Sequence, residues 1–201
     1  FEDPIFGYRP YINTRSFIDY FIVNEFARNV DGFKKSRNFF KDKSSKDSLI
    51  YAGPVWDFDW AFKDHSSFMI NGSGWRHDYS GPTDVKPPGW YIRLLQDTAF
   101  TNELNCRYFN LRNSILDTTN IFSFIDSLSS LVNEPQNRHY IRWPILGINV
   151  GTPEVGNQPT SYNGEIIKFK NWINERLNWL DANMPGNCPN VSVSENKKSY
   201  V

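Results

Sequence analysis

The sequence predicts an α+β domain, mostly helical, with one small β-hairpin in its first third. Two patterns carry that expectation. Apolar residues recur at helical spacing in four separate stretches, and two segments rich in Phe, Tyr, Val and Ile flank a short polar connection. The bulk numbers agree: 201 residues with 39% hydrophobic and 22% charged side chains suit one globular domain with a real core. The 22 basic and 22 acidic residues cancel, which leaves none of the basic excess expected of a nucleic-acid binder. No apolar run approaches the roughly 20 residues that span a bilayer.

The first helix is expected over residues 14–29. Ser16 and Asp19 have capping-box spacing, and Phe17, Phe21, Ile22, Phe26 and Val30 form an apolar face. Asp31-Gly32 supplies the turn that ends it. Residues 37–43 and 49–59 then read as the two strands of a hairpin around Ser44-Ser45-Lys46-Asp47-Ser48. Residues 63–89 carry Asn71-Gly72-Ser73-Gly74, Ser80-Gly81-Pro82 and Pro87-Pro88-Gly89 without periodicity. A loop that long is functional or mobile.

Three more helices follow. Their stripes are Leu104, Tyr108, Leu111 and Ile115; then Ile121, Phe124, Ile125, Leu128 and Leu131; then Ile166, Phe169, Ile173, Leu177 and Leu180. Pro185-Gly186 stops the last one. Residues 1–186 thus form a single domain, with 187–201 as a tail or linker. Cys106 and Cys188 match no zinc spacing, so they are either unpaired thiols or one long-range disulfide of an exported protein.

The segment 53–60 holds the clearest chemical signal. In an extended strand the side chains alternate, which places Trp56, Phe58 and Trp60 on a core-facing side and Asp57 and Asp59 together on the other. Two such carboxylates repel unless a cation compensates, and Mg²⁺ favours one or two carboxylates plus phosphate oxygens. By spacing alone, capping or pairing with Arg and Lys explains them equally simply. Haloacid-dehalogenase-like phosphatases carry Thr or Val where this chain has Ala61, and glycosyltransferases using Asp-x-Asp have an α/β nucleotide-binding half not visible here.

The neighbouring residues add a resemblance. Ser16 to Glu25, then Asn29-Val30-Asp31-Gly32-Phe33, then Tyr51-Ala52-Gly53-Pro54-Val55-Trp56-Asp57-Phe58-Asp59 together resemble the CotH (spore coat protein H) kinase family. Leu94-Leu95-Gln96-Asp97 with Phe100, Arg142-Trp143, and the helix through Trp172 and Leu180 extend the similarity over residues 11–183.

The resemblance implies an atypical, reduced protein kinase that transfers phosphate from ATP to protein. Asp57 then matches the metal-binding Asp of the kinase Asp-Phe-Gly position, with Asp59 in place of the glycine and assisting at the Mg²⁺ or Mn²⁺. Asp31 matches the catalytic-loop Asp that orients or deprotonates the acceptor hydroxyl. Asn38 is the second metal contact, at a spacing from Asp31 longer than in ordinary kinases. Lys34, Lys35 and Arg37 meet ATP phosphates or an acidic substrate, or else form a solvated edge; Lys35 is the candidate for binding the cofactor. The loop over 63–89 occupies the place of an activation segment or substrate-binding loop. No Gly-rich phosphate loop and no Lys–Glu pair precede the first helix, so the implied unit is the C-terminal, large lobe, a piece of a longer protein and inactive by itself.

Protein is the implied substrate, the chain is expected to be a monomer, and the family's associations imply export to a spore coat, envelope or cell surface. The alternative is a non-catalytic module on the same fold that binds protein or glycan through residues 63–90. His65, His77 and His139 read as ordinary surface or loop histidines, and Arg76-His77-Asp78 as a solvated loop rather than a phosphate contact. Trp75 and Trp90 read as packing that pins the long loop rather than as a peptide or sugar platform. Ser73 and Ser192 complete Asn-x-Ser sequons.

Overall fold

The computed structural model describes residues 1–3, 5–63, 72–78, 86–150 and 158–188. Within these, the chain is mostly helical with one small two-stranded antiparallel sheet, as the sequence predicts, though with six helices rather than four. The elements in chain order are α1 (Thr14–Phe26), β1 (Phe39–Lys41), β2 (Ile50–Ala52), α2 (Trp90–Leu94), α3 (Thr98–Arg112), α4 (Thr118–Leu131), α5 (Asn133–Arg142) and α6 (Tyr162–Asn183).

α1 is the central element, with seven of its 13 residues buried, Asn24 and Glu25 among them. Phe17, Ile18, Tyr20, Phe21 and Ile22 are all buried, against α3, the hairpin and α2. Full burial of a Phe or Leu side chain contributes about 1.5–3 kcal/mol, so Phe17, Phe21, Phe100 and Leu104, each 0% exposed, anchor this part of the core. Its N-cap is Asn13, whose side chain accepts from Ser16 N at 2.9 Å. The expected Ser16–Asp19 box does not form. Ser16 lies inside the helix, accepts from Ala52 N (3.1 Å) and so docks β2 on α1.

The helix ends at Phe26 rather than near residue 29, for a definite reason. Arg28 adopts a left-handed φ of 48°; its N–H donates to Glu25 O (3.0 Å) and the Asn29 N–H donates to Asn24 O (2.9 Å). That pair of bonds is a Schellman turn with Arg in the place usually taken by Gly. It delivers the chain directly into Asn29–Gly32.

The hairpin pairs Phe39 with Ala52, Phe40 with Tyr51 and Lys41 with Ile50. Both strands are shorter than residues 37–43 and 49–59 would make them. β2 stops because Gly53 turns at φ +123° and Pro54 has no N–H for a ladder.

The helical stripes hold in the core and fail at the surface. Leu104, Tyr108 and Leu111 of α3 are buried, whereas Ile115 lies past the helix end and is 69% exposed. α6 buries Trp172, Ile173, Leu177 and Leu180. On α4 the apolar stripe divides: Ile121 and Ile125, with Phe122, pack against α6, while Phe124, Leu128 and Leu131 face outward. Two short helices, α2 and α5, were not visible as stripes.

Polar ties join α3 to the end of α6. Arg112 donates from Nε and Nη2 to the two oxygens of Asp181 (2.8 and 3.0 Å), and Tyr108 donates to the same carboxylate (2.6 Å). Cys106 and Cys188 form a disulfide, which decides between the two readings of these cysteines. No helix among the described residues is long and apolar enough to cross a membrane.

Candidate functional site

The site is built on the turn that follows α1. Asn24 and Asn29 are both buried and face each other: Asn24 Nδ2 donates to Tyr20 O (2.9 Å) and Asn29 Nδ2 to Asn24 Oδ1 (3.2 Å). Gly32 crosses directly over this pair. A Cβ there would lie 2.0 Å from Asn24 Oδ1, so only glycine fits. The Tyr20 hydroxyl closes the turn by donating to Gly32 O at 2.6 Å, and burial pushes its pKa up to about 12.

This turn presents Asp31, whose side chain is 24% exposed, with Lys34 Nζ 3.8 Å from Oδ1. The Asp31 carbonyl accepts from Lys34 N and Ser36 N, both at 3.0 Å. Asp31 N in turn donates to Asn29 Oδ1 (3.3 Å). Lys34 is buried beside it rather than part of a solvated basic edge, while Lys35 is exposed.

Asp57 approaches from the other side, though not on a strand. The expected alternation over residues 55–60 does not occur, since Asp57 itself takes a left-handed φ of 62°. A single residue in that region turns the chain, and Asp tolerates it better than most. Trp56 and Trp60 are therefore 56% and 36% exposed instead of anchoring a core face. Two buried residues fasten Asp57 to the Asp31 turn. Asn29 Nδ2 donates to Asp57 O (3.2 Å), and Ser36 Oγ donates to Asp57 Oδ2 (2.7 Å). Ser36 O also accepts from Trp56 Nε1 (3.0 Å), and Asn38 O accepts from Gly53 N (2.9 Å).

The structure therefore brings Asp31 and Asp57 onto one scaffold, with Asn38 bonded to the same segment through its backbone. Asp59 is exposed, and among the described residues no hydrogen bond or ion pair joins it to either. No group of three His, Cys, Asp or Glu side chains suited to a metal occurs among the described residues. The donor set fits Mg²⁺ of the kind held by one or two carboxylates and completed by substrate phosphates and water. It does not fit a metal caged entirely by protein. Nearby, Arg37 packs over the Phe39 ring at 5.2 Å with Nε and Nη1 buried and unpaired, which leaves donors suited to an anion.

The family model described as CotH kinase protein matches residues 2–180 of the 201. The chain belongs to the CotH kinase family. No curated protein and no solved structure matches it.

The matched stretch of this CotH-family chain contains every candidate site residue and a second charged cluster that the sequence did not announce. Glu25, on the last turn of α1, is fully buried and accepts from Arg176 Nη2 (2.9 Å), His77 N (2.8 Å) and Arg76 N (3.0 Å), with His77 Nδ1 at 2.8 Å. Arg176 of α6 spends its other donors on Glu25 O, Gly72 O and Gly74 O, each at 2.8 Å. Burial alone would raise the Glu25 carboxyl, but the His77 hydrogen bond and the charges around it hold it below its ordinary value. Arg76 and His77 are thus 2% and 6% exposed, a correction to their reading as solvated loop. His139 is on the surface of α5, and His65 lies outside the described residues. Trp75 packs edge-on against Trp179 (4.8 Å) and Trp90 stacks on Phe39 (5.2 Å), so both pin their flanks of the long loop.

Asn29, Ser36, Glu25 and Arg176 were missed as working residues, and Arg76 was read only as a loop residue or phosphate contact. Asn29 and Glu25 lie in stretches that carry the family resemblance, but their partners are set by contacts across up to 151 residues of sequence.

Proposed function

We propose that the chain is the large lobe of an atypical CotH-like protein kinase. It moves the γ-phosphate of ATP to Ser or Thr hydroxyls of a protein substrate, with Mg²⁺ or Mn²⁺. One observation above others supports the reading: Asn29 and Ser36 each bridge the Asp31 turn to Asp57, so two carboxylates in different surroundings are held at a fixed mutual placement.

Asp31 is the acceptor-side group on this reading, orienting the incoming hydroxyl and taking its proton. Asp57, assisted by Asp59 and the Asn38 amide, is the metal side. Bound Mg²⁺ supplies charge neutralisation and a template for the phosphoryl group. Lys35, at the exposed edge of the turn, contacts ATP phosphate. The Cys106–Cys188 disulfide supports maturation in an oxidising compartment, hence export to the cell surface, spore coat or envelope. The chain acts as a monomer.

A second reading, a non-catalytic module that binds protein or glycan, draws on the exposed Trp56 and Trp60 beside the site. ATP-dependent phosphate incorporation, measured on the protein that carries this chain, separates the two. Asp31→Ala and Asp57→Ala should each reduce transfer by about 100-fold or more. Equal transfer in all three forms removes the assigned roles, and transfer by none of them favours the binding module.

A further inference from the structure

Ser36 has all three of its polar groups committed to the two halves of the site. Its N–H donates to Asp31 O (3.0 Å), its carbonyl accepts from Trp56 Nε1 (3.0 Å), and its hydroxyl donates to Asp57 Oδ2 (2.7 Å). The residue is 4% exposed, whereas the carboxylate it holds is exposed. Asp57 sits in a left-handed turn with its backbone fixed by Asn29, so one rotatable side chain is all that remains to be placed. A carboxylate on so exposed a turn samples several rotamers unless a partner selects one. Ordering it at the moment of cation binding costs free energy that a standing hydrogen bond has already offset.

We infer that Ser36 is the positioning residue of the Asp57 carboxylate: its buried hydroxyl holds Oδ2 and turns Oδ1 outward to a divalent cation. The inference rests on the Mg²⁺ reading of Asp57 and extends it to a residue outside the ligand set. Partners of this kind orient a ligand without touching the metal, and their loss typically weakens binding about 10–100-fold. Ser36 matters here for one bond of defined direction. Thr at this position keeps that bond; Ala removes it and leaves the backbone contacts to Asp31 and Trp56 intact.

The test uses Mn²⁺ alone as the probe, titrated into the isotope-labelled chain, and reads paramagnetic broadening of backbone amide signals. In the wild type the amides of Asp57, Asp31 and Ser36 should broaden first. Ser36→Ala should need about 10-fold or more Mn²⁺ for the same broadening. Ser36→Thr should stay within about threefold of wild type, and thermal unfolding of both variants should change little. Wild-type Mn²⁺ response in Ser36→Ala, with the response lost in Asp57→Ala, overturns the role of Ser36 and leaves the metal reading standing. Wild-type response in Asp57→Ala overturns the metal reading itself. Equal weakening by Ala and Thr assigns the effect to packing and also overturns the inference.

Discussion

The end of α1 feeds two charged clusters that differ in one respect. Around Glu25 the carboxylate is consumed inside the chain: it meets four donors, the backbone N–H groups of Arg76 and His77, His77 Nδ1 and Arg176 Nη2, and all of these residues are buried. Seven residues along from Asn24, the Asp31 turn begins an arrangement that stops short of closure. Asp57 receives one hydroxyl and remains exposed, and Asp59 is exposed as well. The first cluster joins α1, residues 72–77 and α6 into a frame. The second is held by Asn29 and Ser36 and left open to solvent. The Glu25 carboxylate is closed; the Asp57 carboxylate is fixed but open.

The comparison breaks most visibly at Glu25. Glu25→Gln leaves the Arg176 guanidinium buried without its counter-charge, and removing one partner of a buried pair costs about 3–5 kcal/mol. Denaturant unfolding should show this loss, with partial unfolding at ambient temperature if the whole domain is marginal. A loss below about 1 kcal/mol would mean the cluster is not the frame. The same pair sets a pH dependence. The folded Glu25 carboxyl titrates below its ordinary value of 4.5, so its contribution is present above about pH 4.5 and lost as the pH falls through the lower folded value. Thermal midpoints measured from pH 7 to 3 should drop in the acid range, and less steeply in Glu25→Gln.

Gly32 tests the join between the clusters. The added methyl of Gly32→Ala meets Asn24 Oδ1 at 2.0 Å, and such overpacking costs about 1–3 kcal/mol. Because the displaced turn carries Asp31, phosphate transfer should fall further than stability does. Equal stability and transfer in Gly32→Ala would show that the turn yields without consequence.

How much of this was legible depends on distance along the chain. The α6 stripe from Ile166 to Leu180 and the hairpin were readable because local periodicity decides them. Residues 55–60 were misread as extended because Gly53 and Pro54 end the strand, and a left-handed Asp57 has no period to betray it. Asp31 came from family resemblance; Asp-x-Asp spacing marked Asp57 and Asp59 only as a weak metal motif, to which the resemblance gave a role. The Glu25 cluster was unreadable, since a lone Glu in a helix says nothing about an Arg 151 residues later. Ser36 was overlooked for a related reason. Its role is defined by a side chain 21 positions away, across a turn no pattern specifies.

The smallest structural effect should come from the residue with the largest functional one. Asp57→Asn, at an exposed position, should shift stability by no more than about 0.5 kcal/mol, while removing the charge that the proposed metal requires. Measuring denaturant unfolding and ATP-dependent phosphate transfer on this single variant tests the division directly. An unchanged unfolding midpoint with transfer lost by about 100-fold or more is the predicted result. Retained transfer, or a transfer loss that merely follows a loss of stability, would contradict it.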